Sequence, residues 1–203
     1  GKLAPGSRIF TCSWSDWFIE EADEWRDEAW SVIARTPQFN YLILTKRPER
    51  MALRLPLGWG DGWPNVWLGV SVERQAEADL RIPNLMNTPA CVRFVSAEPL
   101  LGPIDFCKIR FGTSYPYGSP GEPQHYDAFT DRSVFTDEGD YELGKIHWVI
   151  TGGESDRQAP RPCDLDWVRA IRDQCRDAGV AFFHKQHGGV HKIGGAWGGR
   201  GLD

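Results

Sequence analysis

The chain repeats one local pattern, a short apolar run that ends in an ionisable side chain. Residues 93–97 (RFVSA) lead into Glu98 and Pro99, and residues 66–72 (VWLGVSV) lead into Glu73. Continuous apolar runs of this length are typical of strands buried on both faces, as in parallel sheets. Pro99 ends its run because proline has no backbone N–H to donate to a neighbouring strand. The pattern predicts strands that each deliver a charged group at the carboxyl end.

Four further runs of this kind bring the total to roughly six predicted strands. They are residues 8–13 before Asp16, residues 41–45 before Lys46 and Arg47, residues 148–151 before Gly152, Gly153 and Glu154, and residues 180–183 before Lys185. The first four strands follow one another about every 25 residues, and a helical pattern occupies most of each gap. This alternation indicates βαβ units with right-handed crossovers. We therefore expect an α/β fold, a parallel (β/α) partial barrel of the TIM type.

The gaps between the runs predict three main helices. The first covers residues 23–35, and its apolar face is formed by Trp25, Ala29, Val32 and Ile33. The second is predicted in two pieces, residues 74–80 and a piece that begins at Pro83, because proline suits the first position of a helix. The third covers residues 164–178, with Asp164 as N-cap and Gly179 after its last turn.

Residues 105–145 interrupt the alternation. Glycines and prolines punctuate this segment, and no sustained apolar period runs through it. An irregular segment of this length is uncommon inside a compact domain. Two interpretations stay open: an excursion over the site, or a disordered insertion without a role. A glycine-rich tail follows at residues 188–203, and the whole of residues 1–203 is expected to form a single α/β partial-barrel domain.

Composition excludes several classes of protein. The formal net charge of −5 argues against a broad nucleic-acid-binding surface but allows a local basic patch. No run of about 20 apolar residues occurs, so no membrane span is expected. The five cysteines are odd in number and no pair is spaced C-x-x-C, which disfavours a disulfide scaffold or a zinc ribbon. Reduced thiols and the absence of a signal-peptide pattern favour a cytoplasmic protein.

The carboxyl ends of parallel strands meet at one edge of a sheet, which is where α/β folds build their sites. Six ionisable residues are expected to converge at that edge: Asp16, Lys46, Glu73, Glu98, Glu154 and Lys185. The two carboxylates Glu73 and Glu98 are candidate catalytic residues, because a pair of this kind can share a proton, bind a cation or hold a ligand amine. They can equally form ion pairs with Lys46, Arg47 or Lys185.

Lys185 is the third catalytic candidate. A lysine that leaves an apolar strand can be desolvated, which lowers its pKa toward use as a nucleophile or a base. Pairing with a carboxylate is the alternative. Gly152, Gly153 and Glu154 are candidate cofactor-binding residues, since glycines let backbone N–H groups approach a phosphate or carboxylate. Two glycines after a strand are also ordinary turn chemistry.

Asp16, Lys46 and Arg47 are candidate substrate-binding residues. Lys46 and Arg47 form a basic cluster with Arg50 and Arg54 that could hold phosphate or a nucleic-acid backbone. A solvated helix face is the alternative for Arg50 and Arg54. No metal site is predicted: the three histidines near the end of the chain follow a strand and a glycine-rich turn, and no carboxylate is near them in sequence. These are His184, His187 and His191.

Several short blocks, in a fixed order, resemble one protein family. They are residues 44–51 (LTKRPERM), 65–73 (NVWLGVSVE), 98–102 (EPLLG), 152–155 (GGES) and 185–186 (KQ). With them the chain resembles an uncharacterised phage and bacterial protein family that carries a three-cysteine motif near its N-terminus. The resemblance covers nearly the whole chain outside residues 105–145.

The resemblance implies a radical-SAM-like barrel. Three closely spaced cysteines after the first strand are the arrangement that holds a [4Fe–4S] cluster. This chain has no such group of cysteines, and it begins at what resembles the second strand of the family pattern. An iron–sulfur cluster and S-adenosylmethionine are therefore implied only if an N-terminal cysteine segment exists. We predict that the chain as given binds no cluster.

Two functions from different classes follow. The first is a radical-SAM-like barrel enzyme, related to phage proteins, that binds a small polar or nucleotide-like ligand at the carboxyl ends of the strands. The second is a non-catalytic accessory factor in phage biology that binds nucleic acid or a protein. Cysteines upstream of Gly1 would favour the first, and a basic site without a cluster segment would favour the second. Substrate, reaction and oligomeric state stay open.

Overall fold

A computed structural model describes residues 3–111, 124–134, 141–156, 158–194 and 196–202. Its centre is a six-stranded parallel sheet that curls into a half-barrel. With strands numbered in chain order, the sheet runs β1 (Arg8–Phe10), β2 (Asn40–Thr45), β3 (Val66–Ser71), β4 (Val92–Ala97), β9 (Trp148–Gly152) and β10 (Ala181–Gln186). Every neighbouring pair is parallel. The predicted parallel α/β sheet, curved as part of a barrel, is therefore confirmed.

Three α-helices accompany the sheet: α1 (Arg26–Arg35), α2 (Gln75–Asn87) and α3 (Leu165–Asp177). Short 3₁₀ turns cover Glu20–Ala22, Pro48–Arg50, Ala52–Arg54 and Phe106–Lys108. Along each strand every second side chain packs into a core shared with the helices, because side chains alternate between the faces of a sheet. Leu68, Val95 and Val149 are such residues and are fully buried. None of the helices described is long and apolar enough to cross a bilayer.

Helix α1 buries only part of the face predicted for it: Ile33 is buried and Ala29 is partly buried against the core. Its buried residues are Arg26, Trp30 and Ile33, whereas Trp25 is 52% exposed and Val32 is also exposed. The Arg26 guanidinium donates to the carbonyls of Trp17 at 3.0 Å and Ile19 at 2.7 Å and pairs with Asp23. These contacts turn a charged residue inward, and an apolar stripe in the sequence does not reveal such a partner set.

Helix α2 is one continuous helix, so the predicted break before Pro83 is wrong. A proline inside a helix removes one backbone hydrogen bond and is normally costly. Here an unbroken buried stripe runs past it, formed by Ala78, Ile82, Leu85 and Met86. We infer that packing of this stripe against the sheet outweighs the lost hydrogen bond.

Helix α3 agrees with the prediction at both ends. The Asp164 side chain accepts from the backbone N–H of Asp166 at 2.9 Å, which satisfies a free donor of the first turn. Gly179 has a φ of +67°, the left-handed conformation that a glycine adopts without steric cost at a helix end.

The described parts of the segment 105–145 contact helices α2 and α3. They form the antiparallel pairs β5 (Ile109–Phe111) with β6 (Gln124–Tyr126) and β7 (Arg132–Val134) with β8 (Tyr141–Leu143). Residues 112–123 and 135–140 lie outside the described residues. A last short hairpin follows β10 and pairs β11 (Lys192–Ile193) with β12 (Ala196–Trp197).

This segment takes the place of a crossover helix between β4 and β9. Phe106 and Ile109 are fully buried in the main core. The side chain of Gln75 in α2 accepts from the backbone N–H of Asp105 at 2.7 Å, and that of Gln174 in α3 accepts from Phe106 at 2.8 Å. The described parts thus bridge α2 and α3, and the expected excursion over the site does not hold for them.

The assignment of the buried face of α1 can be tested with two substitutions. Arg26→Met leaves the carbonyls of Trp17 and Ile19 and the Asp23 carboxylate with fewer donors, so the free energy of unfolding should fall by about 2–4 kcal/mol. Trp25→Ala removes a half-exposed side chain, and the loss should stay below about 1 kcal/mol. Urea denaturation measures both. An equal or larger loss for Trp25→Ala would contradict the assigned phase.

Candidate functional site

The concave face of the half-barrel holds a cavity of about 860 Å³. Its wall comes from every second residue of the strands, the phase opposite to the one that packs under the helices. The wall is mainly apolar and includes Phe10, Leu44, Trp67, Ile150 and Phe183. Glu98 and Lys185 continue the same phase beyond the apolar residues of β4 and within β10, and both line the cavity. The cavity therefore joins a mainly apolar wall to the Glu98–Lys185 pair at the carboxyl ends of the strands, which we call its charged end, while Arg8 lines the opposite end.

An aromatic cluster fills the amino-terminal end of the concave face. The rings of Trp67 and Phe94 each lie 6.0 Å from that of Trp148, measured between centroids. The Arg8 guanidinium carbon lies 5.5 and 5.6 Å from the centroids of Trp67 and Trp148, close enough for a cation–π interaction with both. Gly69 makes room for this packing, since a Cβ there would meet the Phe94 ring at 2.5 Å.

We call the charged residues at the carboxyl ends of the strands, together with the two arginines that pair with them from other elements, the mouth. Its members are Asp16, Lys46, Arg47, Glu73, Arg81, Glu98, Glu154, Arg161 and Lys185. The six residues expected to converge all lie beyond or at the carboxyl ends of parallel strands, on one edge of the sheet. Ion pairs and hydrogen bonds join them to neighbours on adjacent elements.

Asp16 is held firmly at the β1–β2 end of the mouth. One carboxylate oxygen accepts from the Thr45 hydroxyl at 2.6 Å and from the Phe18 N–H at 2.9 Å. The other accepts from the Lys46 N–H at 2.7 Å, and the Arg47 guanidinium lies 3.5 Å from it. Asp16 therefore orders the loop after β1 and positions the two neighbouring cations.

Glu73 lies between two cations. It pairs with the Lys46 ammonium, and its second oxygen lies 2.8 Å from Arg81. Burial alone would raise the pKa of Glu73, but the hydrogen bonds and charges of Lys46 and Arg81 hold that pKa below its ordinary value. Glu73 is consequently a carboxylate at neutral pH and a weak base, which suits positioning of Lys46 better than proton transfer.

Glu98 pairs with Lys185 across β9. The Lys185 ammonium lies 2.9 and 3.1 Å from the two carboxylate oxygens, and Gln186 donates to one of them at 3.3 Å. The strand between the partners ends in Gly152. A Cβ at that position would lie 2.9 Å from the Glu98 carboxyl carbon, so glycine leaves the space that the pair needs.

Gly153 and Glu154 continue the mouth beyond β9. The Gly153 N–H already donates to the Gln186 carbonyl at 2.9 Å, and a Cβ on this glycine would lie 1.8 Å from the His187 carbonyl oxygen. Both glycines of the predicted cofactor loop thus have a packing role. Hydrogen bonds from Arg161 lower the pKa of Glu154 to about 2.

Sequence reasoning missed several members of this site. Arg81 projects from α2, and Arg161 lies in an irregular segment seven positions after Glu154, so no strand-end pattern marks either one. Conversely, Arg50 and Arg54 belong elsewhere. Both bind Asp23, at 2.8 and 2.7 Å, and hold the segment that precedes α1.

A chain of side-chain hydrogen bonds lies behind β10. The Thr151 hydroxyl is 2.9 Å from His184 Nδ1, and His184 Nε2 is 2.9 Å from His187 Nδ1. Both ring nitrogens of His184 are therefore engaged. Burial, and secondarily the nearby His187, lowers the pKa of His184 to about 4. The ring is neutral at physiological pH, and the pair ties β9 and β10 to the segment that follows them.

The cysteines of the chain do not fit an iron–sulfur cluster. All five are free and lie on different elements: Cys175 is buried in α3, Cys91 and Cys107 are exposed, and Cys12 and Cys163 are half-buried. Burial, with a nearby Asp164 adding to the effect, raises the pKa of the Cys163 thiol to about 11, which disfavours the thiolate that metals require. Within the described residues, no three His, Cys, Asp or Glu side chains are grouped to hold a metal ion. No chemistry through a cluster is therefore derived for these residues.

Fold and site together define an α/β half-barrel protein with an apolar concave cavity and a charged mouth. The chain belongs to the family DUF5131, described as "Protein of unknown function", whose family model matches residues 2–203. No curated protein and no solved structure matches the chain. The predicted membership of an uncharacterised family is thus confirmed, while the phage origin and the three-cysteine motif stay predictions.

The neutral state of His184 predicts a pH-dependent stability. Below the ordinary pKa of 6.5 the unfolded chain takes up a proton at this residue, whereas the folded chain does not until about pH 4. Stability from this residue is therefore present above pH 6.5 and is lost as the pH falls toward 4, by at most about 3 kcal/mol. Urea unfolding at pH 7 and pH 4.5 measures the loss.

Two variants isolate the contribution of His184 from other titrating groups. His184→Asn should reduce the pH dependence between pH 6.5 and 4. The matched variant His125→Asn changes an exposed histidine and should leave the dependence as it is. Equal pH dependence in wild type and His184→Asn would contradict the assignment.

The pair formed by Glu98 and Lys185 should contribute little to stability. Lys185 is half exposed, and solvent screens pairs of this kind, so Glu98→Gln should lower the free energy of unfolding by less than about 1 kcal/mol. Thermal and urea denaturation measure the change. A loss of about 3–5 kcal/mol would instead identify a buried structural pair.

Proposed function

We propose that the chain forms the barrel of a radical-SAM-like enzyme that binds a small polar or nucleotide-like ligand at the carboxyl ends of the strands. One observation carries this proposal: among the described residues, a cavity of about 860 Å³ has mainly apolar walls, with the Glu98–Lys185 pair at the carboxyl ends of the strands and Arg8 at the opposite end. Small-molecule sites commonly have volumes of about 300–1,000 Å³, with apolar walls and a few convergent polar groups. The free thiols fit a cytoplasmic protein, and the sequence blocks fit a phage-related one.

Glu98 and Lys185 are the residues that would orient such a ligand. Both line the cavity at its charged end, together with Ser96. A carboxylate and an ammonium side by side can exchange their mutual contact for a ligand's amine and anion. The apolar wall below them would hold the less polar part of the ligand and exclude water from it. The chain's own residues thus supply binding and orientation.

Radical chemistry would require a cluster that the five dispersed cysteines do not offer. That part of the proposal rests on the resemblance alone. The accessory-factor alternative has one observation in its favour, the half-exposed cations of the mouth, which could contact a nucleic-acid backbone.

The cavity can be tested by filling it. Saturation-transfer NMR would probe the wild-type protein with four nucleosides and their 5′-monophosphates. We expect binding of at least one of these probes. Ile150→Trp places a larger ring in the cavity and should abolish that binding, because Ile150 lines its wall.

A matched variant controls for the added tryptophan. Leu57→Trp introduces the same ring at a fully exposed position away from the cavity and should leave binding unchanged. Circular dichroism would verify that both variants are folded. The proposal fails if no probe binds, or if Ile150→Trp binds every probe as the wild type does.

A further inference from the structure

The ion pairs of the mouth share one orientation. In four of them the cation lies outside and the carboxylate is recessed: the basic side chains are 48–57% exposed and their acidic partners only 11–24%. The pairs are Lys46 with Glu73, Arg47 with Asp16, Lys185 with Glu98, and Arg161 with Glu154. The surface that a ligand would meet at this edge is therefore cationic.

Ion pairs elsewhere in the described residues have no common orientation. The base is more exposed than the acid in the pair of Arg74 with Glu77 (56% against 25%) and in the pair of Lys108 with Asp105 (74% against 46%), and the acid is more exposed in others. In the pair of Arg169 with Asp166 the carboxylate is 82% exposed and the guanidinium 36%. Lys145 and Asp131 likewise leave the acid more exposed than the base. Both directions thus occur elsewhere, whereas these four pairs of the mouth all present the cation, so the uniform orientation is a local feature of this edge.

The charge balance of the mouth reinforces this orientation. Its five cations, with Arg81 behind Glu73, face four carboxylates, which leaves one net positive charge. The whole chain carries −5. A local positive surface on an acidic protein attracts anions to that place and repels them elsewhere.

An exposed aromatic side chain lies on the same edge. Trp14 is fully exposed in the loop between β1 and Asp16. Its neighbour Ser13 lines the main cavity, and Ser15 lines a smaller adjoining cavity of about 210 Å³ that also contacts Lys46. An exposed tryptophan beside cations is the combination that stacks on a nucleobase while the cations bind its phosphate.

We propose that the mouth recognises a nucleobase joined to a phosphate, with the phosphate on the outward cations and the base on Trp14 or in the cavity. The inference rests on the proposed function, since it assigns the ligand class of the same site. The phosphate can belong to a free nucleotide or to a single-stranded nucleic acid, and both present the same chemistry. Arginine and lysine side chains that are 48–57% exposed can reorient toward such an anion.

Calorimetric titration of the full chain with AMP, adenosine and a short single-stranded oligo(dT) tests the inference. AMP should bind about tenfold more tightly than adenosine, because only AMP offers charge-assisted contacts. Its affinity should fall with rising salt. Tighter binding of oligo(dT) than of AMP would identify the nucleic-acid source, and the reverse would identify the free nucleotide; both support the inference.

Charge variants locate the anion. Arg47→Gln should weaken AMP binding about three- to tenfold, and its fold is protected because Asp16 keeps three other donors. Lys185→Gln should act similarly. The matched variant Arg176→Gln removes a charge from the exposed surface of α3 and should change AMP binding less than twofold, or about 0.4 kcal/mol.

Three results would overturn the inference. Equal affinity for AMP and adenosine would show that the protein makes no favourable contact with the phosphate. Equal weakening by Arg176→Gln and Arg47→Gln would show only a general charge effect. Adenosine binding that Ile150→Trp abolishes, without any gain from phosphate, would refute this inference and leave the proposed function intact. Phosphate-dependent binding that Ile150→Trp does not affect would support this inference and refute the proposed function.

Discussion

The structure depends on the parallel, in-register pairing of six strands. This pairing places every carboxyl end at one edge and every second side chain on the concave face. A strand such as β4 therefore contributes Val95 to the core beneath the helices and Ser96 to the cavity. Glu98 follows Ser96 by two residues and therefore lies on the same face, so its carboxylate is at the charged end of the same cavity. One backbone constraint thus generates both the apolar wall and the mouth.

In the mouth the carboxylates hold neighbouring side chains in place, and the cations are exposed to solvent. Asp16 and Glu73 are recessed, and each uses both of its carboxylate oxygens on protein donors. Their partners Lys46 and Arg47 stay half exposed. Glycine enters this arrangement where two elements approach closely, as Gly152 does below Glu98. The hydrogen-bonded pair of His184 and His187 behind β10 fixes the segment that follows the last strand, so the edge of the sheet has support from both faces.

The sequence predicts the sheet and the mouth well because both follow from local pattern. Apolar runs mark the strands, and the first charged residue after each run marks the edge. What it does not reveal depends on contacts between distant residues. Burial of Arg26 requires carbonyls supplied by the loop after β1, continuity of α2 through Pro83 requires packing against the sheet, and the packing of Phe106 requires Gln174 from α3. Arg161 reaches Glu154 from an irregular segment that has no period at all.

Fluorine NMR of the protein labelled with fluorotryptophan tests the central claim most directly, that a ligand occupies the concave cavity beneath the charged mouth. Single Trp→Phe substitutions would assign the resonances of the ten tryptophans. On titration with AMP, the resonances of Trp14 at the mouth and of Trp67 and Trp148 in the aromatic cluster should shift together. Trp30 and Trp59, which pack in the core beneath the helices, should not. Shifts confined to Trp30 and Trp59, or no shift in any of the five, would contradict the account.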